Sequence, residues 1–235
     1  MAHDTVRRQT KCLRLDDRPV WRYSFLMTDR SVIKKRQRRP DARPAEILAA
    51  ALSAFSEKGF SAARMDDVAK RAGISKGVIY LYFADKTALL KALVQQAVGG
   101  QIEVAALLIN SHQGAVSPLI AQVVALFGTR LQETDLGKII TLVISESRAH
   151  PEIGTFYLDN VIRVAMPLME KLIARGIAAG EFRAVDTRLA VKCMMGPMLL
   201  GAIWRSVFEP LGAEAIDTAA LSSLHADILT RGLRP

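Results

Sequence analysis

Cysteine, histidine and long apolar runs are all scarce in this chain. Two cysteines in 235 residues, Cys12 and Cys193, make neither a disulfide framework nor a zinc site on their own, so a reducing compartment is the natural one. The longest apolar run, residues 193–204, is a dozen residues, short of the roughly 18 that a bilayer-crossing helix needs. Arg and Asp recur through the first 30 residues, which therefore lack the continuous apolar segment of a signal peptide. The expectation is a cytoplasmic protein with no membrane association. His3, His112, His150 and His225 stand singly, and HExxH, GxSxG and a Gly-rich phosphate loop are all missing. Nothing points to a catalytic centre, a metal or a cofactor.

What is present is apolar bulk and unevenly placed charge. Half of the residues are hydrophobic, enough for one large core or two smaller ones. Of the formal charge of +9, residues 1–91 hold 20 Lys and Arg against 10 Asp and Glu, while residues 92–235 hold 12 against 13. The first part is +10 and the second −1, which is a basic module joined to a neutral one. That split suits a polyanionic partner met by the N-terminal part.

Within the basic module, residues 65–83 read MDDVAKRAGISKGVIYLYF. Met65, Val68, Ala69 and Ala72 lie at i, i+3, i+4 and i+7, one apolar face of a short helix, with Asp66 and Asp67 in its first turn. Gly73 stops it. Ser75 can cap a second helix whose Ile79 and Phe83 face inward while Lys76, Gly77 and Tyr80 face out. Two short helices joined in this way make a helix-turn-helix. The preceding stretch, with Pro44 in a first turn and a stripe of Ile47, Leu48, Ala51, Leu52 and Phe55 ending at Gly59, supplies a third helix to close its core.

Residues 1–40 show no sustained period and carry Lys34, Lys35, Arg36, Arg38 and Arg39. They read as a basic arm, mobile in part, either a solubilising tail or a grip on phosphates or the minor groove. Met27 is a second candidate translation start. The domain reading is thus an arm over 1–40, a helix-turn-helix domain over 41–90 and a larger helical domain over 91–235. Asp85 caps a fourth helix that runs past Gly99 and Gly100 to about residue 109, and it either breaks or kinks at that pair. Further helices are expected near 117–132, 136–149, 152–179, 186–208 and 213–231, with Pro167 and Pro197 kinking two of them. No strand pattern competes, so the fold class is all-α.

The residues resemble the TetR family of bacterial one-component transcriptional regulators. The family's F-x-x-x-G-[FY], followed by D-[IV]-A-x-x-A-G-[IV]-S-x-G-x-[IL]-Y-x-[YH]-F-x-x-K-x-x-L, is met by residues 55–60 and 67–89. The resemblance implies a regulator that binds a near-palindromic double-stranded operator as a homodimer. It places Ser75, Lys76 and Gly77 at the start of the recognition helix, Tyr80 on phosphate or a thymine methyl, and Tyr82 and Lys86 on phosphate. Two departures stand out. Ala63 and Arg64 occupy the place of the usual Thr or Ser cap, so Arg64 is expected to take over a phosphate contact. Val78 replaces a frequent Thr and would favour a thymine methyl.

The resemblance also implies that the last two helices of two subunits form a four-helix interface, here through Leu199, Ile203, Val207, Leu221, Leu224 and Ile228. Five of the eight methionines lie between residues 166 and 198, and methionine adapts to irregular ligands. Phe127, Leu142, Phe156, Met166, Met169, Met198 and Trp204 are therefore candidates for the pocket of a small apolar or aromatic effector, against the alternative of ordinary core filling. The implied function is a repressor released from its operator when effector shifts the fourth helix. The competing classes are a regulator that dimerises and binds DNA without sensing a ligand, and an enzyme.

Overall fold

The computed structural model describes residues 43–235, and the arm and the candidate start at Met27 lie outside them. All regular structure among the described residues is helical. α1 (Arg43–Lys58) buries Ile47, Leu48, Ala51, Leu52 and Phe55, the expected stripe, and ends at Gly59, whose φ of +77° favours glycine. α2 (Met65–Ala72) starts without a Ser or Thr cap. The Asp67 carboxylate reaches back instead and accepts the Arg64 N–H at 2.9 Å. Gly73, with φ +63°, reverses the chain. α3 (Lys76–Tyr80) is a short helix of five residues. Val68, Ile79, Leu89 and Leu90 are fully buried beside Ile47 and Phe55 in the core, each such side chain contributing about 1.5–3 kcal/mol of burial.

α4 (Lys86–Ser111) is capped by Asp85, whose side chain accepts the Ala88 N–H at 2.7 Å. It continues as one helix through Gly99 and Gly100, so the expected alternative of a break there is excluded. It is also the one helix among the described residues with the length and apolarity to cross a membrane, which a search for unbroken apolar runs does not register. Here it packs against α1 and against the C-terminal helices.

The remaining helices are α5 (Val116–Glu133), α6 (Leu136–Glu146), α7 (Pro151–Tyr157), α8 (Arg163–Ala178), α9 (Thr187–Ile203) and α10 (Thr218–Leu233). Three boundaries differ from the sequence expectation. The stretch over 152–179 is two helices joined by a π turn (Leu158–Ile162), in which the Arg163 N–H reaches the Leu158 carbonyl five residues back. A second π turn (Trp204–Phe208) follows α9. α10 begins at residue 218 rather than 213, because the Asp217 side chain caps it by accepting the Ala220 N–H. Pro167 and Pro197 sit inside α8 and α9, and both helices run on past them.

Side chains distant in sequence tie these helices together. Glu181 accepts the N–H groups of Val116 and Ser117 at 2.9 to 3.1 Å and so caps α5. Arg175 donates to the carbonyls of Ile109 and His112 and so closes α4. α5 and α10 pack closely, and a Cβ added to Gly128 would lie 2.1 Å from Ser222 Oγ.

Candidate nucleic-acid interface

A five-residue helix presents little surface, so what it exposes decides what it can touch. Ser75 holds the cap position of α3 with extended backbone, and its hydroxyl makes no bond to the helix. Lys76 and Gly77 are exposed, and a Cβ at Gly77 would meet nothing within 4 Å, which leaves open space for an approaching partner. Tyr80 and Tyr82 are 47% and 41% exposed, so neither is a packing residue. Val78 is half-buried beside the fully buried Ile79. Arg64 is exposed at the start of α2.

Leu81 was not among the sequence candidates, and it is 80% exposed between the two tyrosines. Helical periodicity assigns such a residue to neither face, because α3 ends at Tyr80. An apolar side chain this exposed beside two phenols adds a surface for base methyls or sugars.

The charges around this surface are mostly paired. Lys76 Nζ lies 3.1 Å from Asp66 Oδ2, an exposed pair. Lys58 Nζ donates to Asp67 Oδ1 at 2.6 Å, and this bond, with the one from the Arg64 N–H, holds the Asp67 carboxyl below the usual carboxylate range. Arg71 donates to Ser53 Oγ at 2.8 Å and pairs with Glu57.

Lys86 differs most from its expected role. Its ammonium donates to the carbonyls of Phe60 at 2.6 Å, Ser61 at 3.0 Å and Ala63 at 3.2 Å, and lies 4.5 Å above the Phe60 ring. Three donors meet three carbonyls. Burial pushes its pKa down, with the Glu146 carboxylate opposing that shift. Lys86 thus holds the turn between α1 and α2.

Neither of two clefts in the molecule gathers the expected effector residues. One cleft of about 510 Å³ lies between α5 and α10, lined by small residues such as Ala121, Ala125, Ser222 and Thr230. Another, of about 670 Å³, lies between the end of α1, α6 and the second π turn, lined by Phe55, Thr141, Leu142, Glu146 and Arg205. Leu142 borders the second, whereas Phe127, Phe156, Met166, Met169, Met198 and Trp204 line neither. Met169 and Met198 are buried in the core. Phe156 lies under Lys91, and Trp204 donates its indole N–H to the Glu214 carbonyl. Met169 and Met198 fill the core, and Phe127, Phe156 and Met166 pack against it, as adaptable and aromatic side chains fill irregular interiors.

Of the expected interface residues, Leu224 and Ile228 are each 59% exposed and Val207 is 39% exposed. Leu199, Ile203 and Leu221 are half-buried. Leu200, outside the expected set, is 58% exposed on α9. Among the described residues there is no group of three or more His, Cys, Asp or Glu that could hold a metal.

Two family models cover most of the chain. The model of bacterial regulatory proteins of the tetR family matches residues 47–93, and a tetracyclin repressor-like C-terminal domain matches residues 112–222. The fatty acid metabolism regulator protein of Bacillus subtilis is 24% identical over 200 residues, covering 84% of this chain and 98% of that protein. The crystal structure of FadR from Bacillus subtilis in complex with stearoyl-CoA aligns with a TM-score of 0.67 and 23% identity, over 81% of this chain and 99% of that one. The fatty acid degradation regulator FadR of Bacillus halodurans aligns with the same TM-score at 25% identity, over 81% and 99% of the two chains. With a helix-turn-helix that exposes Lys76, Gly77, Tyr80 and Tyr82, and with family models matching residues 47–93 and 112–222, the chain belongs to the TetR family and is a DNA-binding transcriptional regulator.

Proposed function

We propose that the protein is a homodimeric repressor that reads a near-palindromic operator with α3 and leaves it when a fatty-acyl thioester binds. The observation that carries the DNA reading is the exposure of Lys76, Gly77, Tyr80 and Tyr82 along and just after α3. In this proposal Ser75, Lys76, Gly77 and Val78 approach base edges and backbone, while Arg64, Tyr80 and Tyr82 grip phosphates. Lys86 contributes from behind, by fixing the turn that leads into α2. A two-fold dimer would place two such helices roughly 34 Å apart, one turn of duplex. Exposed Leu200 and Val207 from α9 and the turn after it, with Leu224 and Ile228 on α10, supply an apolar face for that pairing.

The effector class rests on the relatives. The Bacillus subtilis regulator of fatty acid metabolism aligns over 84% of this chain, and the FadR structure from that organism holds stearoyl-CoA. Release requires the acyl thioester to bind the non-DNA state more tightly, since equal affinity for both states shifts nothing. The test is a duplex selected by the protein from a random library, titrated with stearoyl-CoA, free stearate or coenzyme A. Loss of duplex binding with stearoyl-CoA and not with coenzyme A is the expected result. Unchanged binding with all three overturns the effector assignment and favours a regulator that senses no acyl ligand.

A further inference from the structure

The turn from α1 to α2 is gripped from two sides by groups that lie far away in sequence. Phe60 is 1% exposed, and its ring stands edge-on to Phe55 at 5.2 Å and to His150 at 5.0 Å. Its main-chain N–H donates to Glu146 Oε1 at 3.2 Å, and Ser61 Oγ donates to Glu146 Oε2 at 3.2 Å. The same Ser61 oxygen lies 3.1 Å from His150 Nε2, and His150 Nδ1 lies 3.6 Å from Glu152 Oε1. The end of α6 therefore takes the donors of this turn, while Lys86 on α4 takes its carbonyls. Four residues past Ser61, α2 begins.

We propose that Glu146 and His150 are positioning residues for DNA binding, forming a latch through Ser61 that fixes α2 and α3 to the C-terminal helices. A carboxylate only accepts, so the Ser61 hydrogen goes to Glu146. His150 must then carry a hydrogen on Nε2 to engage Ser61. Its Nδ1 faces Glu152 and engages it only if that nitrogen is protonated as well. The imidazolium satisfies both contacts, and the neutral ring gives up one. The charged groups facing His150 are Glu146 on α6, Glu152 on α7 and, across the Phe60 ring, Lys86 on α4. The inference rests on the DNA-binding function and is independent of the effector.

The test uses the full chain, hydrogen exchange, and affinity for a duplex selected by the wild-type protein. In Glu146→Ala, amides 59–63 should exchange about tenfold faster and duplex affinity should fall about three- to tenfold, with protection of α5 and α10 unchanged. Glu146→Gln, which keeps one acceptor oxygen, should fall between. If Glu146→Ala loses protection throughout, Ser61→Ala removes a single side-chain bond and should still speed the same amides by about threefold. His150→Ala removes the contact to Ser61 and should lower duplex affinity about threefold, whereas His150→Gln keeps a donor near the Nε2 position and should stay close to wild type. Unchanged exchange at 59–63, or faster exchange with wild-type affinity, overturns the latch. Wild-type affinity in His150→Ala overturns the role of His150. Selection of no duplex at all would refute the DNA-binding reading instead, and the exchange measurements would still decide whether the latch exists.

Discussion

Lys86 separates two kinds of contribution that family resemblance alone runs together. A lysine on a phosphate and a lysine closing a turn both weaken DNA binding when removed, but they do so through different quantities. The ammonium meets three carbonyls between 2.6 and 3.2 Å and lies 4.5 Å over the Phe60 ring. Hydrogen bonds to a charged group contribute about 1.5–3 kcal/mol each when buried. Here the turn is partly solvated and water replaces some of what is lost, so the Lys86→Met variant should be destabilised by roughly 2 kcal/mol in total. For a protein of this size that lowers the melting temperature by about 4–8 °C. The methionine keeps most of the stem that covers Phe60, so the loss reports the ammonium. A phosphate contact would show elsewhere, because each one lost flattens the slope of log affinity against log salt by about 0.9. The structure predicts a lower melting temperature with an unchanged salt slope. A variant that melts like wild type, with its slope reduced by about one ion, would return Lys86 to the DNA surface.

Three further outcomes follow from named contacts. Asp66→Asn removes the exposed partner of Lys76 and a carboxylate that would face phosphate; stability should change by less than about 1 kcal/mol, while duplex affinity rises about threefold at low salt, and a fall in affinity would argue that Asp66 orients Lys76 productively. Gly176→Ala would set a Cβ 2.1 Å from a ring carbon of the buried Phe182; overpacking of about 1–3 kcal/mol exceeds the gain of about 1 kcal/mol in helix propensity, so thermal unfolding should move down, and an upward shift would show that the ring yields. Burial pushes the Tyr157 hydroxyl up to about 12, so one tyrosine should lag the others in an ultraviolet titration. The folded state keeps that proton longer than the unfolded chain, whose phenol titrates near 10, so the contribution is intact below about pH 10 and falls by roughly 2–3 kcal/mol as pH rises toward 12. A Tyr157→Phe variant with the same alkaline stability profile as wild type would refute it.

The helix-turn-helix was legible in sequence because its determinants are local. The i, i+3, i+4, i+7 face of α2, the reversal at Gly73 and the Asp85 cap each need only neighbours within a few residues, and each is found where periodicity puts it. Charge asymmetry said which end meets the polyanion without any knowledge of fold. The π turns at 158–162 and 204–208 were not legible, since an apolar pattern records which residues face inward and not the spacing of the backbone hydrogen bonds. The effector pocket was not legible for a related reason. Residue type says that Met169 and Met198 are apolar and adaptable, but whether they line a cavity or fill one depends on the helices opposite, and those are fixed by tertiary packing.

What holds the recognition unit in place was the least legible part, and separation along the chain is the cause. Glu146 reaches residues 86 and 85 positions earlier, and Lys86 reaches back 26, 25 and 23. No periodicity operates over such distances, and a lone Glu, His or Lys at a helix end has many solvated explanations. Lys86 shows the consequence most clearly, since a resemblance transfers the position of a lysine and leaves open which way its ammonium points. Residue by residue, the exposure of Lys76, Gly77 and Tyr80 could be read from helix faces, whereas the contacts beneath them required the packed chain. A substitution on the supporting side should accordingly leave base preference intact while lowering affinity for every duplex alike, because it changes how firmly α3 is held and not what α3 presents. That uniform loss distinguishes Glu146 from Lys76, whose replacement should alter the preferred sequence.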